Sequence, residues 1–119
     1  MSKKEEKITI YHNTRCTKSR EACSILDKKG IPFETVEYLK TPLNQTEIKA
    51  LLQKLNIKAE ELVRKSEPIF KEKFAAKKYT EAQWIKIFAE HPILIERPIL
   101  VKGNKAIIGR PVERVVEFI

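Results

Sequence analysis

The stretch YHNTRCTKSR, residues 11–20, sets Cys16 between Arg15 and Lys18, with Arg20 close behind and His12 four positions ahead. Thiolate, not thiol, is the nucleophilic form of cysteine, and cationic neighbours favour it. Position works in the same direction. Cys16 falls where a strand gives way to a helix, so free backbone N–H groups and the positive helix end face it. A free cysteine is most often an inert buried residue, but polar, basic flanks argue against that here. These residues predict a reactive thiol whose pKa lies near or below neutrality.

Cys23 is the one other cysteine. Seven positions along a helix separate two residues by roughly 10 Å, beyond the ~7 Å between Cα atoms that a disulfide spans. No bridge between the two is expected. Ser19 stands where a C-x-x-C motif would carry its second thiol, and Cys23 falls on the inward side of the helix as core. The chemistry is therefore that of a single thiol.

The elements that must hold this thiol follow from periodicity. KITIYHN, residues 7–13, alternates and is rich in β-branched residues, which predicts a first strand. A helix over 17–29 follows, stopped by Gly30 and Pro32, and PFETVEY reads as a second strand. A strand, a helix and a strand on short links form a βαβ unit with a parallel pair. The middle of the chain reads as helical. Asn44 with Glu47 and Thr80 with Gln83 suggest capping boxes, and AEELVRK suggests a shorter helical piece. Ile48, Leu51, Leu52 and Leu55, then Trp84, Ile87 and Phe88, give the apolar stripes. Gly103–Asn104 between two apolar runs signals a hairpin. Pro111 then suits the first turn of a last helix, with Val112, Val115, Val116 and Ile119 on one face. The expected architecture is one α/β domain over 1–119: a mixed four-stranded sheet, βαβ then ββα, with a helical insertion over 43–92.

Composition narrows the function classes. Net charge is +8, but the excess is mostly lysine scattered over helix surfaces, and no zinc-finger spacing, aromatic RNA-binding motif or basic zipper accompanies it. Neither nucleic acid nor a metal is expected as a partner. No run approaches the roughly 18 to 20 apolar residues of a membrane span, and no apolar signal core precedes the first strand. A cytoplasmic protein without a membrane partner is expected, and two cysteines are too few for a secreted disulfide framework.

The strand–helix order with a cysteine at the start of the first helix resembles the thioredoxin fold. More narrowly, ITIYHNTRCTKSR, LVRKSEP, HPILIERPILV and GRP resemble the glutaredoxin-like arsenate reductase family, in its order and at roughly its spacing, from Ile8 to Ile119. The resemblance implies a fold, a reaction and a site. Cys16 would attack arsenate, and Arg64, Arg97 and Arg110 would bind the oxyanion, since guanidinium offers a permanent charge and a planar fork. His12 would sit beside the thiol and help to keep it ionised. Ser19 and Arg20 would hydrogen-bond the thiolate or line the anion pocket. Arg97–Pro98 would be the cis-proline turn of the fold. No bound cofactor is implied. An external thiol, from glutathione and glutaredoxin or from thioredoxin, would restore the enzyme, which is expected to act as a monomer.

The chain departs from the resistance-operon members at Thr14, where they carry proline, and at Thr17–Lys18, where they carry Gly-Thr. It also lacks their C-terminal extension, so the resemblance is nearest to a short single-cysteine branch. An alternative within the same fold is a redox-responsive regulator that binds RNA polymerase. That regulator needs a second thiol at position 19 and lacks the arginine that Arg110 supplies here.

Overall fold

The computed structural model describes residues 7–13 and 15–119. Thr14, one of the departures from the resistance-operon pattern, lies outside the described residues. The elements in chain order are β1 (Ile8–Tyr11), α1 (Thr17–Lys28), β2 (Phe33–Val36), α2 (Gln45–Leu55), α3 (Glu81–Glu90), β3 (Ile99–Lys102), β4 (Lys105–Ile108) and α4 (Glu113–Phe118). They fall into two compact units, one from Met1–Thr41 with Arg97–Ile119 and the other from Pro42–Glu96.

The first unit holds a four-stranded sheet in the order β2-β1-β3-β4. β1 pairs parallel with β2 and antiparallel with β3, and β3 pairs antiparallel with β4. This is the mixed sheet that the βαβ and hairpin signals predict. Alternation in β1 sends Ile8 and Ile10 to one face, where Ala22 and Leu26 of α1, Leu100 and Val115 complete a buried cluster. The sequence stops α1 as expected. Gly30 takes φ +69, its N–H reaches the Asp27 carbonyl, and the Ile31 N–H reaches that of Leu26. Those two bonds make a Schellman motif, with Ile31 packed back on the cluster. At the hairpin Gly103 has φ +61 and Asn104 does not share the positive φ, which fits a type II′ turn.

Strand register explains why distant residues meet. Ile99 pairs with Tyr11 on one side and with Ile108 on the other. The exit of β1, the entry of β3 and the exit of β4 therefore share one end of the sheet. Cys16, Arg97 and Arg110 follow or precede those strand ends by a few residues, and so arrive at the same place.

The last helix starts later than its periodicity suggests. Pro111 precedes it, after a cis Arg110–Pro111 bond, and Val112 is the N-cap. Val115 is buried, and Val112, Phe118 and Ile119 pack on the cluster, whereas Val116 is 48% exposed. One residue past Val115 turns a side chain by about 100° around a helix, so Val116 leaves the apolar face and Phe118 takes its place.

Gly109 is needed for its missing Cβ. A Cβ there would stand 3.0 Å from Val115 Cγ2, 3.1 Å from Pro98 Cγ and 3.3 Å from Leu100 Cδ1. These neighbours belong to the packed core, so Gly109→Ala should cost about 1–3 kcal/mol as overpacking. A urea-unfolding midpoint unchanged from wild type would show that the core yields there without penalty.

The second unit contains α2 and α3. Both expected capping boxes form: Asn44 with Glu47 and Thr80 with Gln83 exchange side-chain and backbone bonds. Ile48, Leu51, Leu52 and Leu55 are buried, as are Trp84, Ile87 and Phe88. A short 3-10 turn spans Ala59–Leu62, where a small helical piece was expected. A π-turn over Phe70–Phe74 and a 3-10 turn over Pro92–Leu94 carry no signal that periodicity reads. The Trp84 ring lies 4.9 Å from Tyr79, 5.9 Å from Phe88 and 6.3 Å from Phe74, centroid to centroid. These aromatic rings form a cluster within this unit.

Candidate functional site

Cys16 is the N-cap of α1, with extended φ −91 and ψ 121. Its N–H donates to the Asn13 carbonyl at 2.9 Å, and its own carbonyl accepts the Arg20 N–H at 3.1 Å. The residue is 9% exposed. Arg110 Nη2 donates to Cys16 Sγ at 3.3 Å. The same side chain is anchored at its other end, where Nε donates to the Arg97 carbonyl at 2.6 Å. Arg97 is buried, precedes a cis peptide bond to Pro98 as expected, and turns its guanidinium on the Cys16 sulfur.

Burial alone would push the Cys16 thiol up. Against it act the Ser19 N–H, the Arg97 guanidinium, the Ser19 hydroxyl and the Lys18 N–H, and together they bring the pKa from the ordinary 9.0 down to about 7. The Arg110 charge at 3.3 Å works in the same direction. Ser19 is fully buried, and its Oγ also accepts the Asn13 N–H at 3.4 Å. With a lone pair used there, the hydroxyl proton is left for the sulfur.

The remaining candidates are placed differently. Arg20 is exposed, and its Nη2 donates to Thr17 Oγ1 at 3.5 Å on its own helix turn. His12 is buried at the end of β1, and its Nδ1 lies 3.9 Å from Cys23 Sγ. Burial holds its pKa below 6.5, with Glu37 opposing and Arg20 assisting. At neutral pH His12 is therefore uncharged, and the thiolate owes its stability to guanidinium, hydroxyl and N–H groups instead. Cys23, expected as an inward core thiol, is half-buried and packs on the first unit's cluster. Burial pushes its pKa up. Both cysteines are free.

Arg64 belongs to the second unit. Its Nε donates to Glu67 Oε2 and its Nη1 to Glu96 Oε1, each at 3.0 Å. Its N–H donates to the Leu94 carbonyl at 2.7 Å, beside a Val63–Ile95 bridge. Burial would lower the pKa of this guanidinium, but the two carboxylates more than offset that and raise it. Sequence reasoning missed Glu67 and Glu96. Their signals were present, one three residues after Arg64 and the other directly before Arg97. It also missed Asn13, which ties the turn before α1 to Cys16 and Ser19. Among the described residues no cluster of three or more His, Cys, Asp or Glu could hold a metal ion. No helix among them is long and apolar enough to cross a membrane.

Comparison with known proteins gives concordant findings. A model of the ArsC family matches residues 11–118. An arsenate reductase of Neisseria meningitidis is 38% identical over 110 residues, spanning 91% of this chain and 94% of its own. The uncharacterized protein YfgD of Escherichia coli is 40% identical over 116 residues, spanning 96% and 98%. Among solved structures, the arsenate reductase from Vibrio cholerae matches with a TM-score of 0.91 at 36% identity, covering 98% of this chain and all of that one.

Proposed function

We propose, for a chain that belongs to the ArsC family, that it reduces arsenate to arsenite through a covalent adduct on Cys16, with an external thiol as reductant. In this reading the Cys16 thiolate attacks arsenic, a sulfur–arsenic bond forms, and a hydroxyl leaves as water once protonated. An external thiol then displaces a second hydroxyl, which leaves as water. A further thiol attacks the sulfur of that external thiol, forming the disulfide and leaving the sulfur–arsenic electron pair on arsenic. One water then displaces Cys16 from the reduced arsenic, and arsenite leaves. Arsenic gains two electrons, and overall arsenate and two thiols give arsenite, one disulfide and one water.

The physical obstacle is that thiolate and arsenate are both anions. Fixed cations must neutralise the approach, and guanidinium does so at any working pH. The observation that carries the reading is the guanidinium–sulfur contact, Arg110 Nη2 on Cys16 Sγ at 3.3 Å, with Arg97 turned on the same sulfur. We assign Arg97 and Arg110 to the oxyanion as well as to the thiolate, and Ser19 to the thiolate. The family pattern supports assigning Arg64, which Glu67 and Glu96 hold in place, and Arg20 to the anion. His12 enters as a neutral ring near the start of α1. The protein acts in this reading as a cytoplasmic monomer, and the glutathione–glutaredoxin route is the donor system that the resemblance favours over thioredoxin. Nothing favours the polymerase-binding alternative, which needs a thiol at the position of the buried Ser19.

The direct test is to supply arsenate with glutathione and glutaredoxin, or with the thioredoxin system, and to measure arsenite. Several arsenite molecules per protein should accumulate with at least one donor. Stoichiometric or absent arsenite with both would overturn the reading.

A further inference from the structure

Cys23 and His12 form a contact that the proposed chemistry does not use. Cys23 lies on α1 one turn after Ser19, with its sulfur 3.9 Å from His12 Nδ1. The ring has little freedom to turn away. His12 is 7% exposed, and its backbone N–H donates to the Val36 carbonyl at 2.9 Å, which fixes the main chain that carries the ring. Burial disfavours charge on both groups, so near neutral pH the thiol keeps its proton and the imidazole stays neutral. The charged groups acting on the ring are Glu37, which favours its cation, and Arg20, which opposes it, and burial outweighs both.

A neutral imidazole has one donor nitrogen and one acceptor. A thiol has one weak donor and a weak acceptor, so two arrangements would satisfy the pair. In one, Nδ1–H donates to sulfur, which leaves the thiol proton to find a partner in a half-buried setting. In the other, S–H donates to Nδ1, and both groups spend the polar atom that burial would otherwise penalise. The second arrangement is the better satisfied.

We propose that Cys23 is a positioning residue: its S–H donates to His12 Nδ1 and fixes the imidazole with its proton on Nε2. His12 then has no open lone pair, with Nδ1 occupied and Nε2 protonated. It cannot take the Cys16 proton as a general base. Cys16 must react from a thiolate already formed by the arginines, Ser19 and the helix start, unlike a cysteine–histidine dyad in which imidazole removes the proton. The inference concerns the free protein and does not depend on arsenate being the substrate.

Long-range proton–nitrogen NMR correlations of the whole protein near neutral pH read the tautomer directly. In wild type, Nδ1 should resonate as an unprotonated ring nitrogen and Nε2 as a protonated one. Cys23→Ser keeps a donor at the position and should keep that pattern. Cys23→Ala removes the donor, and the two resonances should move toward each other as both tautomers become populated. A wild-type ring protonated on Nδ1 would overturn the proposal, and so would a Cys23→Ala spectrum identical to wild type. If Cys23→Ala fails to fold, a wild-type ring protonated on Nδ1, or a Cys23→Ser ring that shifts to that form, still overturns the proposal.

Discussion

Cys16→Ser should reduce arsenite formation by roughly a thousandfold or more, as losses of a covalent nucleophile do. A serine hydroxyl is not ionised near neutral pH, so the guanidinium groups would have no nucleophile to stabilise. The wild-type thiol has a pH dependence to match. With a pKa of about 7, about half of the molecules carry the thiolate at neutrality, against about one per cent at the ordinary 9.0. Alkylation of Cys16 by iodoacetamide, located by peptide mass to separate it from Cys23, should therefore rise with pH through a midpoint near 7. Sulfate competes for the same arginines and should move that midpoint upward. The sign for stability follows from the same shift. A thiol whose folded pKa is depressed favours the folded state fully above pH 9, and this contribution disappears as pH falls through about 7. A midpoint at 9 that sulfate leaves unmoved, or full arsenite formation by Cys16→Ser, would sink the assignment.

Arg110→Lys should lower kcat/KM for arsenate by about a hundredfold, the usual loss when one preorganised donor to developing charge is removed. Charge alone is not what the position supplies. Arg110 grips the Arg97 carbonyl through Nε while Nη2 reaches the sulfur, and a lysine ammonium cannot make both contacts from one rigid plane. The variant should also raise the alkylation midpoint of Cys16, because a donor to its thiolate is lost. Wild-type kcat/KM in this variant would mean that the oxyanion is bound elsewhere. An unchanged midpoint alongside a lower rate would confine Arg110 to the substrate.

Local features of the sequence foretold most of the first unit. Alternation in β1, the Gly30 stop and the Gly103–Asn104 turn each depend on a few adjacent residues, and each forms as expected. Both capping boxes do the same in the second unit. The start of α4 was illegible because the chain around Pro111 sets it, and periodicity alone placed it too early. For the site, Cys16 and its helix-start activation could be read locally. Arg110 could not, since 94 positions separate it from the sulfur it touches, and only strand register or a family resemblance joins them. The charge state of His12 was illegible for another reason. It follows from burial, which no single motif encodes.

Trp84 is the chain's one tryptophan, and it sits inside the ring cluster of the second unit. The protein thus carries its own optical label in Pro42–Glu96 and its own chemical label, the Cys16 thiol, in the segments outside that range. Fluorescence during denaturation follows the loss of the helical unit, while the change in the Cys16 alkylation rate at pH 7, as its pKa returns from about 7 to the ordinary 9.0, follows the loss of the sheet unit. Overlaying the two curves from a single sample measures how cooperatively the two units unfold, with no dye, tag or engineered probe.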